Sequence, residues 1–263
     1  MTAHSDAVHV AVEGPILVLT LDRPTANAID AATSRALYLA MSRLHADETL
    51  RVAVLTAAGQ RFFSAGWDLK AANAGESAGA DHGPGGFAGI TELFGRGKPV
   101  IAAVNGSAYG GGVEMMLAAD LVVAAETAAF SLPEARIGVL PDAGGVSRLS
   151  ARLPRPRALE LLLTGRSFTA VEALQWGLIN RVVPADDVLQ TATELARSVC
   201  EAAPLSVAAT LEIVDATQGL SEQEAFRAVR NDLPTVAKVA ASLDAEEGTR
   251  AFAEKRPPRW QGR

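Results

Sequence analysis

Residues 104–114 read VNGSAYGGGVE: three adjacent glycines and then a glutamate, directly after the apolar run Val100–Val104. Three glycines in a row sacrifice backbone entropy, so something must approach this main chain closely or bend it. A strand, a glycine-rich turn and a helix suit several purposes, and the spacing tests each. A dinucleotide fingerprint counted from Gly106 needs glycine where Ala108 stands, and counted from Gly110 it needs glycine where Met115 stands. A phosphate-binding P-loop ends in Gly-Lys-Ser/Thr, whereas Gly112 precedes Val113 and Glu114. A nucleophile elbow needs glycine two places before and after its serine, and Asn105 and Tyr109 hold those places around Ser107. What remains is a helix whose first turn is left bare, with open N–H groups where the helix dipole favours an oxyanion. With Gly111 in that turn, Glu114 lies three residues on and shares its face. An acidic first-turn residue also simply complements the dipole, and this motif alone leaves both readings open.

Two further segments add candidates. RFFSAGWDLK, Arg61 to Lys70, follows a strand-like run, and its small pair Ala65-Gly66 leaves N–H groups uncovered; an oxyanion hole needs a second donor of this kind. In SLPEARIGVLPDAGG, Glu134 follows a proline and precedes a glycine-rich loop, which suits a rigidly held carboxylate, although a glutamate in such a segment taken alone is more often a surface loop residue. Asp142 in the same segment reads as a helix N-cap before Ala143-Gly144 or as an additional acid near the site.

Around these motifs the pattern is α/β. Val8–Val12, Ile16–Leu21, Val52–Thr56, Val100–Val104 and Leu121–Ala125 have strand length and β-branched content, and Ala31–Leu44 has helical periodicity, which predicts mainly parallel strands. The stretch 74–89, AGESAGADHGPGGFAG, has little to bury and reads as a mobile loop. From about residue 145 the pattern is helical, punctuated by Pro184, Pro204 and Pro234. The expected organisation is a core with the active site over 1–195 and a helical oligomerisation region over 196–263.

Charge and composition exclude other classes. A net charge of -6, with Lys70, Lys98, Lys238 and Lys255 the only lysines, argues against a nucleic-acid surface. His4, His9, His45 and His82 lack metal-ligand spacing, and the single Cys200 excludes an internal disulfide and reads as a buried structural thiol, so no metal is expected. Neither a leader segment nor a membrane span is apparent, which predicts a cytoplasmic protein without membrane contact.

In order along the chain, LDRPTANAID, FFSAGWDLK, IAAVNGSAYGGGVE, FSLPEARIGVLPDAGG, LTGRSFTAVEALQWGLINRVV and FAEKRPPRW resemble the crotonase, or enoyl-CoA hydratase/isomerase, superfamily over nearly the whole chain. LDRPTANAID, SAGWDLKAA, the loop DHGPGGFAGITELF and the tail FAEKR are most similar to a dehydratase branch whose acyl group carries a trimethylammonium. The resemblance implies an α/β fold with a ββα spiral core and a helical C-terminal trimerisation region, giving a homotrimer or a hexamer built as a dimer of trimers. It implies an acyl-CoA substrate, with no metal, flavin or nicotinamide cofactor. By resemblance Ala65 and Gly111 supply the two oxyanion-hole amides, Glu134 handles the α-proton and Glu114 the water. Arg23, Ala26, Gly66, Asp68 and Leu69 lie along the CoA, with Phe252 and Lys255 reaching in from another subunit. Trp67 or Tyr109 faces the cation; alternatively, Trp67 packs beside the pocket or touches the CoA chain. Paired carboxylates favour hydration or dehydration; the alternatives are a general short-chain hydratase, an isomerase working with Glu134 and Asp142, an RNA-binding relative, disfavoured by the charge, and a silent CoA binder, disfavoured by the glutamate pair.

Overall fold

The computed structural model describes residues 7–77 and 79–263. β1 (Val8–Glu13) and β2 (Ile16–Leu21) pair antiparallel and lead to α1 (Ala31–Ala46). Asp30 caps α1 by accepting from the Thr33 N–H at 2.7 Å, a contact worth about 1 kcal/mol. Leu37, Met41 and Leu44 recur at helical spacing on the buried face of α1.

The chain then makes the same move three times. β3 (Val52–Ala57) and β4 (Phe62–Ser64) precede α2 (Leu69–Asn73); β5 (Val100–Val104) and β6 (Ser107–Tyr109) precede α3 (Gly111–Ala118); β7 (Leu121–Ala125) and β8 (Ala129–Ser131) precede a 3-10 turn, Glu134–Ile137. α4 (Gly145–Arg152), α5 (Arg155–Thr164), β9 (Phe168–Thr169), α6 (Ala170–Gln175) and β10 (Arg181–Val183) follow. The first strand of each repeat enters a six-stranded sheet, ordered β1-β2-β3-β5-β7-β10, and the second enters a four-stranded sheet, β4-β6-β8-β9. Within both sheets every pairing is parallel except β1 with β2 and β8 with β9. This is the ββα spiral expected from the resemblance. β3 and β5 are buried on both faces, which is why they read as unbroken apolar runs. The Asn105 side chain holds the corner before β6 by donating to the Ala57 carbonyl at 2.8 Å.

The chain divides into two compact units. One holds the residues up to Leu93 together with Val100–Ala196, and so both sheets; the other holds Phe94–Pro99 and Arg197–Arg263. Phe94–Pro99 thus groups with the C-terminal helices, an assignment that its place in the sequence did not suggest. The boundary falls within α7 (Val188–Cys200), and α8 (Pro204–Thr217), α9 (Glu222–Asn231), α10 (Thr235–Ala240) and α11 (Leu243–Glu254) complete the second unit. Among the described residues no helix is long and apolar enough to cross a membrane. Cys200 is half-buried rather than buried.

The stretch 74–89 departs from expectation. Residue 78 lies outside the described residues, but the second half of the stretch has much to bury: Phe87, Ala88 and Gly89 form a buried 3-10 turn. The Ala88 N–H donates to the Ser34 hydroxyl on α1 at 3.0 Å, and Gly89 packs directly on the α1 backbone at Tyr38. Its glycines permit that close approach, and composition alone mistook them for freedom.

Candidate active site

A cavity of about 370 Å³ opens in the first unit, lined by the ends of the repeats. Ala65, Trp67 and Leu69 come from the segment after β4; Tyr109, Gly110, Gly111 and Glu114 come from the turn into α3; Pro133, Glu134 and Asp142 follow β8. The three glycines answer to three close neighbours. A side chain on Gly110 would meet Glu134 Oε1 at 2.7 Å, one on Gly111 would enter the Phe87 ring, and one on Gly112 would strike the Ser64 carbonyl.

Accounting for the amides corrects one expectation. The Ala65 N–H donates to the Ala26 carbonyl at 2.9 Å, which leaves it nothing to offer a ligand. The Gly66 N–H donates to the Ser64 hydroxyl at 3.0 Å. The Trp67 N–H, next in line, has no hydrogen-bond partner among the described residues. On the other side the Gly110 N–H donates to the Ser131 carbonyl at 2.9 Å, while the Gly111 N–H, at the first turn of α3, is unbonded. Gly66 presses the two segments together: with φ of +83°, a side chain there would lie 2.6 Å from the Tyr109 carbonyl and 2.7 Å from the Gly111 nitrogen. The donor pair offered to the cavity is therefore Trp67 and Gly111. Position 65 misled because the carbonyl that engages its amide comes from residue 26, a partner no local pattern shows.

Both glutamates are buried, Glu114 at 4% and Glu134 at 8% exposure, so Glu134 is not a surface loop residue. Glu114 sits in the first turn of α3, and its Oε1 accepts the Gly145 N–H at the start of α4 at 2.8 Å. Burial raises its pKa to about 7; the charges of Glu134 and Asp142 push the same way, and the Gly145 and Ala143 amides pull against them. Glu134 is likewise raised, first by burial and then by the charge of Asp142. Its Oε2 is buried and has no hydrogen-bond partner among the described residues. Such an orphaned oxygen is costly for a purely structural residue and suits one that awaits a proton or a substrate.

Asp142 is not the helix cap: α4 is capped by Gly144 without any side-chain bond, and Asp142 lines the cavity. Trp67 lines it too, and its indole N–H donates to Glu76 at 3.3 Å. Arg23 and Asp68 do not line it. The Arg23 guanidinium pairs with Asp68 at 2.6 Å and Asp30 at 2.7 Å, and Asp68 caps α2 through the Lys70 and Ala71 amides. They brace the backbone that presents Ala26, Trp67 and Leu69. Phe252, 88% exposed, and Lys255 belong to the second unit. Among the lining residues that the sequence reading missed are His82, Phe87 and Glu92, carried by or beside the stretch taken for a mobile loop.

The enoyl-CoA hydratase/isomerase family profile matches residues 11–263, and the chain belongs to that family. It is 53% identical over 260 residues to a carnitinyl-CoA dehydratase of Salmonella typhi, covering 98% of this chain and all of the relative. Among solved structures, an enoyl-CoA hydratase from Mycobacterium tuberculosis H37Rv superposes with a TM-score of 0.91 at 41% identity, over 98% of this chain and 100% of that one. A carnitinyl-CoA hydratase from Mycobacterium avium gives 0.77 at 44% identity with the same coverage.

Proposed function

We propose that the protein is an acyl-CoA hydro-lyase that adds or removes water across the 2,3 bond of an enoyl-CoA thioester, interconverting crotonobetainyl-CoA and carnitinyl-CoA. The observation that carries this reading is the convergence on one cavity of two buried glutamates with raised pKa values and two unengaged amides. In hydration, Glu114 takes a proton from water, the water oxygen bonds to the β-carbon, and the π electrons shift through the α-carbon to the thioester oxygen. The Trp67 and Gly111 amides donate to the enolate oxygen where its charge develops, each worth about 3 kcal/mol of barrier. Glu134 then delivers its proton to the α-carbon. Dehydration reverses each step: Glu134 takes the α-proton, the bond to the β-hydroxyl breaks, and Glu114 protonates the departing hydroxide. A Glu114 pKa of about 7 suits a group that must give and take a proton near neutrality.

The relatives' names support the trimethylammonium substrate. In this reading Ala26 and Leu69, on the backbone braced by Arg23 and Asp68, lie along the CoA. Phe252 and Lys255 reach a neighbouring subunit's site in a cytoplasmic homotrimer or hexamer assembled through the C-terminal region, and no resident cofactor takes part. Asp142, lining the same cavity, favours a second reading, isomerisation with Glu134. Supplying crotonobetainyl-CoA, crotonyl-CoA and a 3-enoyl-CoA side by side tests both: water addition fastest on the first supports the proposal, fastest on crotonyl-CoA marks a general short-chain hydratase, and conversion of the 3-enoyl-CoA alone marks an isomerase.

A further inference from the structure

The cavity lining contains four carboxyl groups, from Glu92, Glu114, Glu134 and Asp142, and no lysine or arginine. Glu114 and Glu134 are claimed by the chemistry, and Asp142 by its effect on both of them. Glu92 has no such employment. Its side chain lies across Gly86, where a Cβ would sit 2.7 Å from Glu92 Cγ, and its own N–H donates to the Gly85 carbonyl at 2.9 Å. Glu92 is thus held at the exposed mouth of the cavity, and its carboxylate accepts no hydrogen bond and pairs with no cation among the described residues. The nearby Arg148 guanidinium instead donates to the Thr91 and Ala143 carbonyls, at 2.6 and 3.1 Å.

Aromatic rings stand in the wall among aliphatic side chains such as Leu69, Ile137, Val139 and Leu140. Trp67, Tyr109, Phe87 and His82 line the same cavity, with His82 and Phe87 edge to face at a centroid distance of 5.3 Å. The Ser34 hydroxyl lies 3.0 Å from the Asp30 carbonyl, 3.0 Å from the Ala88 nitrogen and 2.9 Å from His82 Nδ1. All three contacts are satisfied together when the hydroxyl donates to Asp30 and accepts from Ala88 N–H and from His82 Nδ1–H. That arrangement fixes the His82 ring as part of the wall.

We propose that Glu92 is the specificity-determining counter-charge for a quaternary ammonium on the acyl chain, held against the aromatic wall of Trp67, His82, Phe87 and Tyr109. A quaternary ammonium has no N–H to donate, so hydrogen-bonding partners cannot select it; aromatic faces and an unpaired carboxylate can. The inference rests on the hydro-lyase reading for its substrate, and it adds the residue that distinguishes a cationic acyl group from a neutral one.

The test compares two unreactive ligands of one shape: 4-trimethylammoniobutyryl-CoA and its carbon isostere 5,5-dimethylhexanoyl-CoA. Calorimetric Kd values for both are measured on the wild type, Glu92→Gln and Glu92→Asp. Glu92→Gln is expected to lower the cationic-over-neutral affinity ratio about tenfold, and Glu92→Asp to keep it within about threefold. An unchanged ratio in Glu92→Gln overturns the proposal, as does an equal fall in both variants. Because neither ligand reacts, this outcome is independent of the hydro-lyase reading, which fails separately if the wild type adds no water to crotonobetainyl-CoA. A general loss of folding cancels in the ratio.

Discussion

Glu247 in the second unit and Glu134 in the first are both buried glutamates in opposite company. Glu247 accepts from the Arg250 guanidinium at 2.5 Å, from Arg256 at 2.6 Å and from the Arg259 N–H at 2.8 Å, and these partners hold its carboxyl well below the ordinary range. Glu134 has an oxygen with no partner among the described residues and a pKa pushed upward. Each environment suits its task. A carboxylate enclosed by cations is fixed as a charge and ties helix to tail; one enclosed by apolar groups and other acids is poised to change its charge. Burial alone therefore says little about an acid's purpose, and its partners say most.

Replacing each acid by its amide sharpens the contrast. Glu134→Gln should keep the fold and lose about a thousandfold in kcat, since a general acid–base group contributes roughly 10²–10⁴; parental turnover in a folded variant would remove Glu134 from the chemistry. Gly66→Ala attacks the same site without touching an acid. Its methyl would lie 2.6 Å from the Tyr109 carbonyl and 2.7 Å from the Gly111 nitrogen, so the amide pair should be forced apart and turnover should fall about a hundredfold. Binding of an acyl-CoA should suffer less than turnover, and full activity would show that the donors lie elsewhere.

The smaller effects concern stability, and their signs oppose. Glu247 is depressed in the folded state, so its contribution is present above the ordinary carboxylate range and is lost as pH falls below that range through the depressed folded value. Glu247→Gln should lower the Tm at pH 7 and make little difference in strong acid. Glu114 is raised from 4.5 to about 7, so the folded protein loses stability as pH rises from the first value to the second, by an amount of the order of 3 kcal/mol at most. Glu114→Gln should accordingly gain in Tm relative to wild type at pH 8 and gain nothing at pH 4, a difference readable by calorimetry at the two pH values. Parallel pH profiles for wild type and variant would show that Glu114 ionises as freely as a solvent-exposed acid.

The sequence displayed whatever depends on periodicity. Ile16–Leu21, Val100–Val104 and Leu121–Ala125 are strands with the bounds their apolar runs suggest, and α1 follows its helical spacing. The second strand of each repeat, such as Ser107–Tyr109, spans three residues, too few for any alternation to show. The glutamates could be read because a glycine triplet and a proline mark their turns. The Ala65 amide could not, because whether it is free depends on residue 26. Segment 74–89 failed for a related reason: composition reports what a stretch can bury by itself, whereas the α1 backbone provides the surface on which Gly89 rests.

The contact between Gly66 and Gly111 has an evolutionary corollary. The spacing of the Trp67 and Gly111 amides is set where main chain meets main chain, so exchanges at the surrounding wall leave it alone while exchanges at the glycines themselves do not. A lineage built on this scaffold can alter the walls, through positions such as 82, 87 and 92, and so acquire new acyl chains while the backbone donor pair is inherited intact. Diversity of diet then belongs to the walls, and constancy to the pair of glycines.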